Sequence, residues 1–354
     1  MPGRDIIVVG ASAGGVAALI ALTEELPADL PAAIFVVLHT PPYRPSRLPQ
    51  VLEQGTSLPV AHARHGEPIR PGRIYIAPPD YHLLVQEGTV ALSHGPKENG
   101  TRPAIDPLFL SAARAYGPRV AAVVLSGALG DGTAGMRAVR EHGGVGVVQI
   151  PGEAEFSEMP LSAIRRADPD HVLPVAEIGP LLVRLAREPA PTQEDTAMTD
   201  ATARATAMIQ GDIDAQSEGR MGEGRSVYSC PHCGGALWQT GEGVTQFRCH
   251  VGHTASPEAL IVQMTEQLEA SLWASVRTLT EKAVLTRQLA AGLRAEGKTT
   301  AAARVEESAT LDDEHIRLLR ESLLEATPNP TSQLIAIQRA LDSDPDEPPP
   351  PPGL

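Results

Sequence analysis

Short apolar runs recur between helical stretches in the first half of the chain, and this alternation restricts the fold more than any other feature. Residues 6–9, 34–38 and 120–125 form three such runs, with no polar side chain inside them. A strand that is apolar throughout must be covered on both faces, as happens in parallel sheets flanked by helices. We therefore predict an α/β domain with a doubly wound, mostly parallel sheet over residues 1–187.

A hairpin is predicted to interrupt this pattern and to add antiparallel character between residues 73 and 93. Residues 82–86 and 89–93 have strand character, and the Glu87-Gly88 pair between them is typical of a tight turn. The remaining predicted elements of the domain are strands at 73–77 and 145–150 and helices at about 16–26, 105–116, 130–142 and 179–187.

The rest of the chain divides by composition. Residues 188–225 show no periodic apolar pattern, which predicts a flexible linker with a short helix near 201–209. Residues 257–326 carry an apolar stripe at helical spacing that is interrupted at 292–297, and they are predicted to form an α-helical hairpin. The stripe comprises Leu260, Met264, Leu268, Leu272, Val276 and Leu279. Residues 327–354 end in a proline run and are predicted to be disordered.

The segment Gly10-Ala11-Ser12-Ala13-Gly14-Gly15 follows the first apolar run. It fits G-x-S-x-G, the strand–turn–helix elbow that presents a nucleophilic serine. Small residues allow the sharp turn, and the helix that follows offers backbone N–H groups to an oxyanion. A phosphate-binding turn with an incidental serine is the alternative, although the segment matches neither G-x-G-x-x-G nor the Walker pattern.

A histidine and an aspartate follow the other two apolar runs: His39 comes directly after the second, and Asp131 comes after the third. Because the carboxyl ends of parallel strands meet at one edge of a sheet, Ser12, His39 and Asp131 are candidates for nucleophile, base and orienting carboxylate. Taken singly, His39 also fits a structural hydrogen bond, and Asp131 also fits a helix N-cap. The chain order Ser, His, Asp differs from that of the α/β-hydrolases, so that topology is not predicted.

Six ordered motifs make residues 5 to about 187 resemble the catalytic domain of the chemotaxis protein-glutamate methylesterases (CheB type). The matching stretches are 10–15, 37–39, 72–78, 102–109, 126–136 and 158–160. The resemblance implies a catalytic trio of Ser12, His39 and Asp131, the same residues that the pattern of strands indicates. It also suggests that Arg102 and Asp106 line the site, with a structural salt bridge as the alternative.

The resemblance implies hydrolysis of glutamate γ-methyl esters with release of methanol, and glutamine deamidation as a second activity. The implied substrates are methyl-accepting chemotaxis receptors or related methylated signalling proteins. Backbone N–H groups of Ala13 and Ala128 are the candidate oxyanion hole, although the family often has threonine and methionine at these positions. The usual members carry an N-terminal receiver domain, and because Ser12 lies so near the first residue, we expect no such domain in this chain.

All three cysteines lie within twenty residues and have the spacing of metal ligands. Cys230 and Cys233 form C-x₂-C, and Cys249 with His253 forms C-x₃-H after an interval of fifteen residues. Two such turns are typical of a structural zinc ribbon, which we predict over residues 226–256, with iron as the alternative metal. His253 is the predicted fourth ligand, with His250 as the alternative. Four protein ligands leave no open position, so the zinc is expected to be structural and no cofactor is expected for catalysis.

Charge and hydropathy restrict the partners. The formal net charge of −14 argues against nucleic-acid binding, and no apolar run is long enough to cross a membrane. No signal peptide is recognised, so we expect a cytoplasmic protein. Self-association through the C-terminal helices is a further hypothesis. Two alternatives to the leading function are an esterase of a non-chemotactic signalling system and a zinc/helix interaction module with a vestigial esterase domain.

Overall fold

A computed structural model describes residues 3–42, 45–191, 224–240 and 245–325 of the chain. The helix predicted near 201–209 and the proline-rich tail at 327–354 lie outside these ranges. The chain divides into two compact units, Met1–Leu260 and Ile261–Leu354.

The first unit is built around a seven-stranded sheet. In chain order, the strands of the unit up to residue 191 are β1 (Ile6–Ala11), β2 (Ala33–Leu38), β3 (Val60–His62), β4 (Arg73–Ile76), β5 (His82–Gln86), β6 (Thr89–Ser93), β7 (Val120–Val124), β8 (Val145–Gln149) and β9 (His171–Leu173). The sheet has the order β3-β4-β2-β1-β7-β8-β9, and every neighbouring pair is parallel. β5 and β6 form a separate antiparallel hairpin, so the antiparallel character predicted for 73–93 does not extend to β4.

Helices cover both faces of this sheet. They are α1 (Gly15–Glu24), α2 (Leu48–Leu52), α3 (Ile105–Tyr116), α4 (Thr133–Glu141), α5 (Glu158–Ala167) and α6 (Val175–Arg187). Successive side chains of β1 point to opposite faces: Ile7 and Val9 pack in one core with α1, α2 and α6, and Ile6 and Val8 pack in another with α3, α4 and α5. This arrangement confirms the predicted doubly wound α/β domain.

The departures from the predicted elements have local causes. β3, β9 and α2 have three to five residues, too few to produce a readable period. α6 begins at Val175, four residues before the predicted start, and contains Pro180 in its interior. A proline removes one helical hydrogen bond and usually marks a first turn, which explains the late predicted start.

The first unit also contains a small antiparallel sheet from the later part of the chain. Its strands are β10 (Gly224–Ser229), β11 (Ala236–Thr240), β12 (Gln246–Cys249) and β13 (Thr254–Ala255). Leu237, Phe247 and Leu260 form its core, and Leu129 of the α/β domain packs against this core. The small sheet therefore lies next to the loop between β7 and α4.

The second unit is a helical hairpin formed by most of α7 (Pro257–Ala295) and by α8 (Thr299–Glu325). Ala283 and Ala290 of α7, and Ala302 and Ala309 of α8, are at most 1% exposed. The predicted apolar stripe is only partly buried, because Leu268 is 59% exposed. α8 has 27 residues against the 39 of α7, so it cannot cover the first turns of the longer helix. Within the described ranges, neither α7 nor any other helix has the length and hydropathy of a membrane span.

Candidate active site

Three strands deliver the three candidate residues to one edge of the sheet. Ser12 follows β1, His39 follows β2, and Asp131 lies in the loop after β7. β1 lies between β2 and β7 in the sheet. After β1 the chain first adds strands on the β2 side, and later it adds strands on the β7 side, so the direction of strand addition reverses at β1. Such a reversal opens a crevice at the carboxyl ends of the strands, which is where α/β proteins bind ligands.

The turn that carries Ser12 is held by close backbone approach. Gly14 has φ 70°, a left-handed conformation that glycine adopts without strain, and α1 begins at the next residue. The Ser12 N–H donates to the carbonyl of Ser126 at 3.0 Å, which ties the turn to the loop after β7. A Cβ on Gly127 would lie only 2.9 Å from the Cβ of Ser12. The loop after β7 can therefore approach Ser12 this closely only because position 127 is glycine.

His39 contacts both other members of the trio. Its Nδ1 lies 3.0 Å from Ser12 Oγ, and its Nε2 lies 2.7 Å from Asp131 Oδ2. An ionised carboxylate only accepts hydrogen bonds, so the Nε2–H donates to Asp131 and Nδ1 is left as the acceptor that faces Ser12. The two ring nitrogens are exchanged relative to the Ser-His-Asp template, but one still faces the serine and the other still faces the aspartate.

Asp131 is held as an anion in the protein interior. It is 2% exposed, and its Oδ2 also accepts the N–H of Ile105 at 2.7 Å. Its Oδ1 accepts the N–H groups of Asp106 and Gly132 and the side-chain amide of Asn99. Burial alone would raise the pKa of Asp131, but the hydrogen bond and the electrostatic interaction with His39, together with the backbone donors, hold it below its usual value. Asp131 therefore caps α3 and orients His39 at the same time.

A second buried carboxylate, Asp106, lies beside Asp131. Asp106 Oδ1 accepts the N–H of Gly135 at 2.7 Å, and its Oδ2 accepts the Asn99 amide at 3.1 Å. Burial and the nearby charge of Asp131 raise the pKa of Asp106 well above its usual value. Asp131 thus carries the negative charge of the pair, and the Asp106 carboxyl makes no hydrogen bond to Ser12 or His39 within the described residues.

Asn99 is the residue of this network that the sequence did not single out. It is 6% exposed and has φ 51°, and its side-chain amide donates to Asp131 at 2.9 Å. The only sequence signal is the turn-forming Asn99-Gly100 pair, which predicts a turn and no contact.

Arg102 braces a loop and does not contact the trio. Its guanidinium binds one oxygen of Asp80 through Nε and Nη2, at 3.0 and 2.8 Å, and its Nη1 donates to the carbonyls of His94 and Gly95. The structural salt bridge considered from the sequence is therefore the arrangement observed for Arg102.

Ala13 and Ala128, the candidate oxyanion donors, lie in the two loops that meet at Ser12. Neither N–H donates to an acceptor within the described part of the chain. Both groups thus stay available as predicted donors to an oxygen that develops negative charge beside Ser12.

The three cysteines and one histidine form a separate cluster in the small antiparallel sheet. The ligand atoms of Cys230, Cys233, Cys249 and His253 all lie within 4.8 Å of one another. The Cys233 and Cys249 sulfurs lie 3.6 Å apart. His253 Nδ1 lies 3.8 Å from the Cys230 sulfur and 3.5 Å from the Cys249 sulfur. His250 is exposed and outside the group.

These separations fit a tetrahedral metal site. Zinc bonds of about 2.3 Å to sulfur and about 2.0 Å to nitrogen place tetrahedral ligands about 3.8 Å apart for two sulfurs and about 3.5 Å apart for sulfur and nitrogen. The cysteines are free thiols and form no disulfide. The donor set therefore suits Zn²⁺ in both chemistry and spacing.

The family profile described as CheB methylesterase matches residues 7–182. The protein-glutamate methylesterase/protein-glutamine glutaminase 2 of Anaeromyxobacter dehalogenans is 41% identical over 183 residues, which are 52% of this chain and 54% of that protein. A putative protein-glutamate methylesterase/protein-glutamine glutaminase of Leptospira interrogans is 37% identical over 182 residues, which are 51% of this chain and 94% of that protein.

Among solved structures, the crystal structure of the Thermotoga maritima CheB methylesterase catalytic domain aligns with a TM-score of 0.49 at 37% identity. That alignment covers 51% of this chain and 98% of that one. This chain spans about half the length of the Anaeromyxobacter relative. The family match ends at residue 182 and does not include the Cys/His cluster.

Proposed function

The chain belongs to the CheB methylesterase family, and we propose that its α/β domain is a serine esterase that hydrolyses γ-methyl esters of protein glutamate side chains. The observation that carries this proposal is the continuous contact from Ser12 through His39 to Asp131, with distances of 3.0 and 2.7 Å. This contact supports the proposal, because nucleophilic catalysis needs a hydroxyl, an unprotonated ring nitrogen and a buried anion in that order.

In the acylation step, Ser12 Oγ attacks the ester carbonyl while its proton passes to His39 Nδ1. The negative charge that develops on the carbonyl oxygen is stabilised by the N–H groups of Ala13 and Ala128. The bond to the methoxy oxygen then breaks, His39 returns the proton to that oxygen, and methanol leaves. An acyl-enzyme on Ser12 remains.

In the deacylation step, water attacks the acyl-enzyme and gives a proton to His39 Nδ1. Collapse of the second tetrahedral intermediate breaks the bond to Ser12 Oγ, which takes the proton back, and a glutamate side chain is released. Asp131 holds the Nε2–H throughout and stabilises the imidazolium in both steps. The same two steps applied to a glutamine side chain would release ammonia, which would account for deamidation as a second activity.

For the substrate protein, we propose methyl-accepting chemotaxis receptors or related methylated signalling proteins. The names of the relatives, protein-glutamate methylesterase/protein-glutamine glutaminase, support a protein glutamate ester as the substrate class. A cytoplasmic location follows from this choice, because the receptor segments that carry such esters would have to be reached from that side.

We further propose that Cys230, Cys233, Cys249 and His253 bind Zn²⁺ with a structural role. The fit of the ligand separations to a tetrahedron supports this assignment. The bound ion would supply folding energy to a sheet whose core is small.

Methanol release from methyl-labelled receptor membranes tests the esterase. We expect release by the wild-type chain and none above background from Ser12→Ala. Ser57→Ala, which changes an exposed serine of the same domain, is the matched control and should equal the wild type. Release that is equal in Ser12→Ala and wild type would contradict the proposed nucleophile. No release from the folded wild type would contradict the proposed substrate class.

A further inference from the structure

The segment that follows the last Cys/His ligand lies against the loop that contains Asn99, within the first unit. Thr254, the residue after His253, accepts the Asn99 backbone N–H at 2.8 Å. Ser256 donates its backbone N–H to Asn99 Oδ1 at 2.9 Å. Thr254 Oγ1 also donates to the buried carboxyl of Glu98 at 3.1 Å. Three hydrogen bonds thus join the small antiparallel sheet β10–β13 and the residue after it, together called the Cys/His sheet below, to two consecutive residues of the α/β domain.

The other end of the Asn99 amide belongs to the catalytic network. Its Nδ2 donates to Asp131 Oδ1 at 2.9 Å and to Asp106 Oδ2 at 3.1 Å. One planar side chain therefore receives a hydrogen bond from the Cys/His sheet and gives hydrogen bonds to the triad carboxylate and its neighbour. Both ends are buried, so water does not substitute for either contact.

The contact from Ser256 determines which end of the amide faces Asp131. An N–H can only donate, so it selects the orientation in which Oδ1 points to Ser256 and Nδ2 points to the carboxylates. The reversed amide would place an oxygen lone pair against an anionic oxygen in the interior, where unpaired acceptors are costly. Ser256 and Asp131 therefore favour the same orientation from opposite sides.

A short turn links the cluster to Thr254 and Ser256. Cys249 donates its N–H to the carbonyl of His253 at 3.0 Å, and Gly252 donates to the carbonyl of Cys249 at 3.0 Å. Two of the four ligand positions thus belong to one turn, and β13 begins at the residue after it. An ion that holds Cys249 and His253 also holds the start of β13.

We propose that Asn99 is a positioning residue of the triad and that the metal-bound Cys/His sheet sets its orientation, so that metal occupancy controls the reactivity of Ser12. The inference rests on the proposed esterase function of this site. Its consequence is a cation requirement for an esterase whose chemistry uses no cation. Loss of the metal would loosen β13, release the Asn99 amide and remove one hydrogen bond from the anion that orients His39.

The test compares full-length wild type, Asn99→Ala and Gln239→Ala, each with zinc bound and after chelation. Gln239 is exposed on β11 of the same small sheet, which makes it the matched control. The readouts are zinc content, kcat and KM for p-nitrophenyl acetate, the rate at which a fluorophosphonate labels Ser12, and the downfield proton signal of the His39 Nε2–H. Far-ultraviolet circular dichroism of each sample reports whether the α/β domain is folded.

We expect one zinc per chain in all three proteins. Chelation should lower kcat and the labelling rate of wild type and Gln239→Ala by about 10- to 100-fold, the effect of losing a hydrogen bond to a charged group, with little change in KM. Zinc added back should restore both rates. Zinc-loaded Asn99→Ala should already be slow, and chelation should slow it no more than about twofold, because the two changes act through one contact. The Nε2–H signal should shift or broaden in the slow samples.

Three results would overturn the inference while leaving the esterase intact. One is an active wild type that keeps its labelling rate and its Nε2–H signal after zinc is removed. The second is a set of independent, multiplying effects of chelation and Asn99→Ala. The third is a purified, active wild type that binds no zinc. Failure of the proposed function is distinguishable, because zinc-loaded wild type would then leave Ser12 unlabelled.

Discussion

At the scale of single residues, Glu98 carries the clearest dependence on pH. It is 5% exposed, and burial raises the pKa of its carboxyl from 4.5 to about 7. The charge of Arg248 and the hydroxyl of Thr254 oppose this shift, and the charge of Asp131 adds to it. Because the pKa is raised in the folded chain, the contribution of Glu98 to stability is fully present below pH 4.5 and is lost as the pH rises through about 7.

Glu98→Gln removes this titration while keeping the shape of the side chain. We expect the free energy of unfolding of wild type to fall relative to that of the variant as the pH rises from 4.5 to 7. Denaturant titrations of both proteins at several pH values in this window measure the difference. Parallel curves for the two proteins would contradict the assignment of a raised pKa to Glu98.

The sequence predicts that the trio lies at one edge of the sheet, but it does not predict the residues that hold the trio in place. Ser12, His39 and Asp131 each follow a buried strand, and parallel strands bring such positions together whatever lies between them. Asn99 contacts Asp131 and Ser256, which are 32 and 157 positions away, and no local pattern encodes either contact. Asp131 is also compatible with a helix N-cap, and it does accept a hydrogen bond from the first turn of a helix. That helix is α3, which begins 26 positions earlier in the chain.

At the scale of elements, the helical hairpin depends on small side chains in its seam. Ala283 and Ala290 are buried on α7 seven residues apart, and Ala302 and Ala309 repeat that spacing on α8. A spacing of seven keeps these side chains on one helix face. Lys282 pairs with Asp312 at 2.8 Å, and Arg294, further along α7, pairs with Glu306, which is earlier in α8. The two helices therefore run antiparallel.

Ala290→Leu should overpack this seam. Ala290 is 0% exposed, and extra methylene groups in a filled interior cost about 1–3 kcal/mol. Ala291→Leu adds the same groups at the exposed neighbouring position and is the matched control. Thermal unfolding followed by far-ultraviolet circular dichroism should show a lower midpoint for Ala290→Leu than for the control. Equal midpoints would mean that the seam has room for the larger side chain.

Elements with a long, regular pattern are the ones that the sequence predicts with the right bounds. α3 matches its predicted range of 105–116, and the hairpin β5–β6 matches its predicted strands and turn. The apolar stripe of α7 predicts its buried residues less reliably. Periodicity identifies one face of the helix, but it does not give the length of α8, the helix that packs against it. The buried seam instead continues through alanines, which carry little hydrophobic signal.

At the scale of the whole molecule, the order of the strands is the feature that creates the site. Ser12 and Asp131 are far apart in the chain, and they come to the same edge of the sheet because β1 and β7 are neighbours. The sequence predicts parallel strands but not their order, because pairing is decided by packing between distant segments. The Cys/His cluster is predicted from its spacing, whereas its contact with the Asn99 loop follows only from the folded chain.

Covalent labelling tests, without a choice of substrate, whether Ser12 is a nucleophile that His39 activates. The zinc-loaded full-length chain is treated with a fluorophosphonate, and its peptides are analysed by mass spectrometry. We predict one adduct, on Ser12, that is absent in Ser12→Ala and forms at least about 100-fold more slowly in His39→Gln. An adduct on another serine, or labelling of Ser12 at the same rate in His39→Gln, would contradict the account.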